Sequence, residues 1–551
     1  MPTRREAIVE LLAAGLAAPG VPPWRGLLRV EGGPLARPSP AQAAWQDLEL
    51  GMFIHFAPNT WQDKEYDDRS TPLTAIMPEI DTGQWADTAV ALGARYVVLV
   101  AKHTGGFCLW QTDTTDYGIR NTPWRGGHGD VMADLATACA TRGLQLGVYL
   151  SPRDDTFGAG LSGRCATPER QAAYNELYRL QLTELLTRYG PIVELWLDGS
   201  SVVPTGDLVA RYAPDAMVFQ GPQATIRWVG NEDGFAPYPC WNALAARDAH
   251  TGIATALHGD PDGDVWMPVE VDVSIRRPNW FWSTTDEKNL ISLDDLIEIY
   301  YRSVGHGAQL LLNLPPDRTG RIPAADAARA REFGTEVRRR FTTGVGETTG
   351  VGRQVTLGFG EPRRVDHVVL EEALGGGERV RGYRLDGFAW DKWRRIGEGT
   401  SIGHKRIHPV PPDGYTILRL TVTDMVDEPT IRRFAAYNTG VAPPTTWADS
   451  ATLWADDAVG TWSGDSVSLD LTEKLPAAAQ YRVRFVPDGG ARVALRDLEL
   501  LVDGAAQPTL ARPASGRRDV VLLTIPGVGY RVTLRVRVQG AQRGTVLLQR
   551  L

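Results

Sequence analysis

The sequence predicts an α/β fold, a (β/α)8-type barrel followed by two β-sandwich domains, on three observations. From about residue 45 to 340 strand-like and helix-like patterns alternate, which specifies a parallel sheet with helices outside it. A stretch of about 300 residues suits a closed barrel better than an open sheet. Strand after strand then ends in polar or aromatic residues: His55, Lys102-His103, Tyr149-Leu-Ser-Pro152, Trp196-Leu-Asp198 and Asn313. In a barrel those ends converge on one face, where active sites are built. After about residue 345 the helical period gives way to alternating segments broken by Gly and Pro.

The elements follow in order. Thr3-Arg4-Arg5 precedes an Ala-rich run at 7–18 and then Pro-Gly-Val-Pro-Pro, the pattern of a twin-arginine export signal. Residues 1–35 are therefore expected to be signal and linker, and the protein periplasmic or secreted. Glu10 inside the run also suits a short amphipathic helix. Residues 36–345 are expected to form the barrel. Its strands are read at 51–56, 96–101, 144–150, 193–197, 216–219, 265–273 and 309–314, and its helices at 81–92, 130–142, 167–189 and 293–304. The Gly-rich segment 227–234 reads as loop. Residues 346–440 read as a β-sandwich, Pro443-Pro-Thr-Thr446 as a linker, and 441–551 as a second sandwich and a candidate carbohydrate-binding unit.

Composition narrows the function classes. At 551 residues the chain exceeds one ordinary core, and 43% hydrophobic with 23% charged residues excludes wholesale disorder. A net charge of −8 argues against a nucleic-acid partner, and Arg338-Arg-Arg340 reads as a solvated face. No apolar run is long enough to span a membrane. Cys108, Cys139, Cys165 and Cys240 are widely spaced and read as thiols, with one bridge left open. Seventeen Trp suit either sugar stacking or large β cores. Oligomeric state is not legible.

The sharpest local signal is Leu195-Trp-Leu-Asp-Gly199, a carboxylate at the end of a buried strand before a flexible Gly. Its bland counterpart is an Asp-Gly turn. A retaining glycosidase needs a second carboxyl group about 5–5.5 Å away, protonated near neutral pH by apolar or aromatic neighbours. Glu232, in Arg227-Trp-Val-Gly-Asn-Glu232, and Glu270, in Trp266-Met-Pro-Val-Glu270, both fit. His55 and His103 can exchange hydrogen bonds with hydroxyls; Trp61, Trp110, Trp196, Trp280 and Trp282 offer ring faces; Arg227 could hold a ring oxygen or a carboxylate. Each alone is more often structural, but the set at successive strand ends forms a constellation. His55, His103, Asp198 and His306 lack the short spacings of local metal motifs, and no phosphate-cradling loop or Gly-x-Ser-x-Gly elbow occurs. Hydrolysis without metal or cofactor is the expectation.

Taken together the segments resemble glycoside hydrolase family 29, the retaining α-L-fucosidases. The matching pieces are Gly51-Met-Phe-Ile-His-Phe56, Ala101-Lys-His103 with Gly106-Phe-Cys-Leu-Trp110, Gly147-Val-Tyr-Leu-Ser-Pro152, Leu195-Trp-Leu-Asp-Gly199, Arg227 to Glu232, Asp272-Val-Ser-Ile-Arg276 and Leu311-Leu-Asn-Leu-Pro-Pro316. Trp390-Asp-Lys-Trp393 with Gly399-Thr-Ser-Ile-Gly403 resembles the β-sandwich that follows the barrel in this family. The resemblance implies an exo-acting enzyme on a fucosylated oligosaccharide or glycoconjugate. Asp198 would be the nucleophile of a covalent fucosyl-enzyme and Glu232 the acid/base, with Glu270 as its runner-up. Fucose contacts are implied from His55, His103, Tyr149, Trp196 and Glu65. The Arg-Trp-Val-Gly-Asn-Glu segment is similar to that of the branch acting on α-1,3/1,4-linked fucose. Two departures stand out. Many members read Lys-His-His-Asp-Gly where this chain reads Lys102-His103-Thr104-Gly105-Gly106, which would leave a roomier pocket edge, and many have Trp at the position of Arg153. In that reading Lys102 faces the sugar hydroxyls while Phe107 and Trp110 line its apolar side. The alternatives are a glycan-binding protein with an inactive barrel, and a glycosidase for a related sugar such as a galactoside.

Overall fold

The computed structural model describes residues 35–441 apart from 77–78, 247–248 and 250–257, and residues 457–550 apart from 476–478, 488–492, 508–509, 514–518 and 526–530. The export signal and the Pro443–Thr446 linker lie outside the described residues.

Eight parallel strands form the barrel: β1 Leu50–Ile54, β2 Tyr96–Lys102, β3 Gln145–Leu150, β4 Ile192–Trp196, β5 Met217–Phe219, β6 Arg227–Trp228, β7 Val269–Ser274 and β8 Gln309–Asn313. Their order is β5-β4-β3-β2-β1-β8-β7-β6. The ring closes between β5 and β6 only through a parallel bridge from Phe219 to Ile226. Strand alternation sorts the side chains. Phe53, Tyr96, Val98, Val100, Tyr149, Trp196, Phe219 and Leu311 fill the interior as one cluster, while Met52, Ile54, Val97, Leu99, Val148 and Leu310 join the shell beneath the helices. Gly51 makes the interior possible, since a Cβ there would lie 2.3 Å from the Tyr96 ring.

Helices α1 Thr82–Leu92, α2 Val131–Ala140, α3 Pro168–Arg188, α4 Gly206–Tyr212, α5 Leu293–Arg302 and α6 Ala324–Phe341 follow β1, β2, β3, β4, β7 and β8. Asp81, Asp130, Thr167 and Ser292 cap four of them through side-chain oxygens, satisfying first-turn N–H groups. Among the described residues no helix follows β5 or β6. A two-stranded antiparallel pair, Ala243–Leu244 with Val265–Trp266, occupies part of the second gap. The single strand read at 265–273 is thus two strands, and the loop read at 227–234 begins with the short strand β6. A short helix, Pro40–Gln46, precedes the barrel and inserts Trp45 into the interior cluster.

Residues 346–437 form a six-stranded antiparallel sheet built on two strands of 19 and 20 residues, Gln354–Glu372 and Arg406–Met425. Val369, Ile407, Ala435 and Tyr437 from this sheet join the barrel's outer core. Between 457 and 550 a five-stranded and a four-stranded antiparallel sheet pack their inward residues, among them Tyr481, Phe485, Leu523, Leu534 and Val536, into a separate core. All four cysteines are free, and Cys108, Cys139 and Cys240 are buried.

Candidate active site

At the C-terminal ends of the strands lies a cavity of about 270 Å³. A larger hollow of about 630 Å³ sits at the opposite end, lined by Ala41, Leu48, Leu144 and Ile192. Few polar groups converge there, so the smaller cavity is the better candidate site.

Asp198 follows β4 on a left-handed turn through Gly199 (φ 75°) and Ser200 (φ 66°). Gln220, after β5, accepts the Gly199 N–H at 2.7 Å and fixes that turn. Asp198 is exposed, but into the cavity that it lines, with protein packed around it. That surrounding protein raises its pKa, and hydrogen bonds from the Tyr149 hydroxyl, at 3.0 Å, and from the Gly199 N–H oppose the rise. Glu232 lines the same cavity, and its pKa is raised by desolvation and by the Asp198 charge, against the pull of Arg277. Arg277 lies 3.9 Å from the Glu232 carboxylate and 3.0 Å from that of Asp233.

Two further acids share the cavity. Glu65 accepts the Trp280 N–H at 3.0 Å, and its pKa is pushed up to about 7 by burial and, secondarily, by the Glu232 charge. Asp272, on β7, accepts the Trp228 indole N–H at 2.6 Å, and burial with Glu232 and Asp198 nearby carries its pKa well up. Four carboxyl groups facing one cavity cannot all be ionised at low cost, so the site stores protons.

The histidines are neutral. Burial lowers His55 to about 3 and His103 to about 4. Asn313 donates both amide hydrogens, to Ser274 Oγ (3.0 Å) and to the Trp280 carbonyl (2.8 Å), so its oxygen accepts from His55 Nδ1 at 2.9 Å. That leaves His55 Nε2 as an acceptor. Aromatic walls complete the cleft: Trp196 stacks on Phe219 at 3.5 Å and 10°, and His103 stacks on Tyr149 at 5.9 Å and 23°. At the mouth, Tyr66 and Leu161 are 62% and 71% exposed, and Arg153 bonds Asp155 twice, at 2.8 and 3.0 Å.

This is a cleft for a small polyhydroxylated ring, with paired carboxyl groups and ring faces, and the chain's kinship agrees. The family model described as alpha-L-fucosidase matches residues 35–339. The chain belongs to the alpha-L-fucosidase family. A rice relative (Oryza sativa subsp. japonica) is 34% identical over 480 residues, 77% of this chain and 87% of its own. The alpha-L-fucosidase 1 of Arabidopsis thaliana is 32% identical, over 68% of this chain and 81% of the relative. The solved structure of a Ruminococcus gnavus family 29 fucosidase in complex with fucose is 27% identical and superposes with a TM-score of 0.66, covering 74% of this chain and 96% of that one.

In this fucosidase the cavity gathers Asp198, Glu232, Glu65, His55, His103, Tyr149 and Trp196. Five candidates lie elsewhere: Trp61 packs on Phe56, Trp282 lies under Arg318, and three more are held by other partners. Trp110 is fully buried and donates its indole N–H to Glu184 at 2.8 Å on helix α3. Arg227 is buried and donates to the Trp241 carbonyl at 2.8 Å, behind the strand, rather than into the cleft. Glu270 is fully buried inside the barrel, bound to Tyr96 at 3.1 Å, and is not Arg-paired: Arg276 engages Asp286 and Asp326 instead.

The pocket edge at 102–110 also differs from its sequence reading. A register shift between Val100 and Lys102 flips the end of β2, so that Lys102 points outward to Asp154 and Gln181, both at 2.9 Å. His103 and Thr104 therefore face the cavity, and Phe107 packs on Tyr117. Nor does Gly105 leave room. A Cβ there would lie 2.6 Å from Asp67, whose carboxylate holds Tyr117 and Gln62.

Asp272, Trp228 and Gln220 were missed as site residues. Asp272 sits two residues past Glu270 on one strand face, and that spacing was the available signal.

Proposed function

We propose that this glycoside hydrolase removes α-1,3/1,4-linked L-fucose from the non-reducing ends of fucosylated oligosaccharides by retaining double displacement. Asp198 attacks the anomeric carbon while Glu232 protonates the departing oxygen; Glu232 then deprotonates the water that hydrolyses the fucosyl ester. The observation that carries this reading is the pair itself, an aspartate steadied by Tyr149 and a glutamate of raised pKa facing one cavity. His55, His103 and Trp196 supply hydroxyl partners and a ring face. The Arg227–Glu232 segment supports the linkage, and the paired arginines at the start of the chain support export to the periplasm or beyond. The last two sheets are proposed to meet the rest of the glycan.

Asp198→Ala should lose turnover of an aryl α-L-fucoside while the protein stays folded; undiminished activity would sink the assignment. Azide should restore turnover to Glu232→Ala, because the anion displaces Asp198 from the fucosyl-enzyme without needing a base and leaves as fucosyl azide. The elevated Glu65 favours a second version, in which Glu65 and Glu232 share the catalytic proton. Azide rescue of Glu65→Ala rather than Glu232→Ala would select it. Activity on an aryl galactoside above that on the fucoside would reassign the sugar, and binding of fucosides without turnover would favour the lectin-like alternative.

A further inference from the structure

Beneath the cleft, inside the barrel, two acids the reaction does not use lie side by side. Glu194 on β4 and Glu270 on β7 are both fully buried and within hydrogen-bonding reach of each other. Their other partners differ. Glu194 accepts an indole N–H on each oxygen, from Trp45 at 2.7 Å and from Trp196 at 2.6 Å. Indoles only donate, so both contacts require acceptor oxygens, which the carboxylate supplies. Glu270 accepts the Tyr96 hydroxyl on Oε2 at 3.1 Å, but its Oε1 meets no donor among the described residues. The acid that interacts with Glu270 is Glu194, and Gln309, its register partner on β8, leaves its own Nε2 without an acceptor among the described residues. Two bare carboxylates in such surroundings repel, whereas one proton between them makes a strong hydrogen bond.

We propose that Glu194 and Glu270 hold a single proton, resident on Glu270, and that this pair is the positioning device for the Trp196 wall of the fucose site. Trp196 stands two residues after Glu194, on the same strand face. Its indole nitrogen is fixed from below while its ring lies on Phe219 and beside Tyr149, at 6.2 Å and 26°. Tyr149 in turn donates to Asp198. A displaced indole would loosen both the ring face and the hydroxyl that steadies the nucleophile.

The groups around the pair act in one direction. Trp45, from the helix before the barrel, Trp196 and the Tyr96 hydroxyl all favour the Glu194 anion, while on Glu270 the Tyr96 hydroxyl alone favours charge against the groups that oppose it. Burial, the Glu194 charge and Asp272 on the same strand all keep the Glu270 proton in place.

The inference rests on the fucosidase reading for its kinetic readout, and its test separates the two. Glu270→Gln presents an amide N–H to Glu194 and a carbonyl to Tyr96, the same pattern as the protonated acid. It should keep kcat, KM and the pH profile on an aryl α-L-fucoside, while Glu270→Ala loses activity. Glu194→Gln sets an amide N–H against one indole N–H and should lower kcat/KM roughly tenfold or more. Near-ultraviolet circular dichroism checks that each variant is folded. In the infrared, wild type should show a buried protonated-carboxyl C=O band at neutral pH that Glu270→Gln lacks. Loss of activity in folded Glu270→Gln, or no such band in wild type, overturns the proposal. If wild type turned over no fucoside, the function would fail while the infrared band still reported the proton.

Discussion

Tyr149 donates its hydroxyl to Asp198, and the consequence of removing it can be worked out. A nucleophilic carboxylate must be ionised, so activity is lost as pH falls through its pKa. Burial raises that pKa and the Tyr149 hydrogen bond pulls it down. Tyr149→Phe should therefore move the acid limb of kcat/KM to higher pH. A hydrogen bond to a charged group is worth about 1.5–3 kcal/mol, and solvent entering the cavity favours the lower end. The expected shift is about one pH unit, with kcat/KM roughly tenfold lower on the acid limb. An unmoved acid limb would mean that Asp198 does not set it. At this scale the sequence showed residues whose direction follows from simple strand alternation, namely His55, Tyr149, Trp196 and the strand-end Asp198. It misdirected Lys102 because one extra residue in β2 reverses the alternation. It did not reveal Asp272 with Trp228, since that contact exists only once β6 lies beside β7.

Among elements, the barrel interior depends on where β1 lacks a side chain. Gly51 faces inward, and a methyl group there would strike the Tyr96 ring, which must stay in place to reach Glu270. Gly190, in the turn before β4, has a left-handed φ of 87° but open space around its would-be Cβ. The same change to alanine should therefore act differently at the two sites. Gly190→Ala should cost about 1–2 kcal/mol through backbone strain alone and leave activity intact. Gly51→Ala overpacks a closed core, costs about 1–3 kcal/mol or more, and should lower kcat by disturbing the floor of the site. Equal melting temperatures and equal kcat for the two variants would contradict this. Helices with polar caps and strands of five or more residues were legible, because their periodicity spans enough positions to register. β5, three residues long, was legible at 216–219 only as an apolar run, whereas β6, two residues long, carries no periodic signal and is held mainly by pairing with β7.

Across the whole molecule, the barrel and the sheet at 346–437 are bound by more than contiguity. Asp47 and Glu49, just ahead of and leading into β1, reach across to the sheet. Asp47 meets His404 at 2.8 Å and Arg432 at 2.9 Å, and Glu49 pairs with Lys405. The hydrogen bond from His404, with the hydrogen bond and charge of Arg432, holds the Asp47 carboxyl well below the usual carboxylate range. Glu378 accepts two hydrogen bonds from Asn242, at 3.0 and 2.8 Å, and Tyr301 bonds His367 at 3.0 Å. With Val369, Ile407, Ala435 and Tyr437 sharing the barrel's core, removal of the sheet would expose apolar surface and strand buried polar groups. That sheet also closes a core of its own around Leu357, Leu385, Leu418 and Phe434, whereas among the described residues the last two sheets close theirs without sharing a cluster with the barrel. Ending the chain after residue 440 keeps the Thr439 and Gly440 N–H bonds to Asp366, both 2.8 Å, and so leaves the shared core sealed. That shortened protein should melt in one calorimetric transition and keep its kcat/KM on an aryl α-L-fucoside, losing ground only on larger glycans if the last sheets hold them. A chain ending at 345 should lose cooperative melting and turnover together, because the ion pairs of Asp47 and Glu49 and the hydrogen bonds of Asn242 vanish with their partners. A 345-residue form that melts cooperatively and turns over the fucoside would show that the sheet is an appendage rather than part of the folding unit.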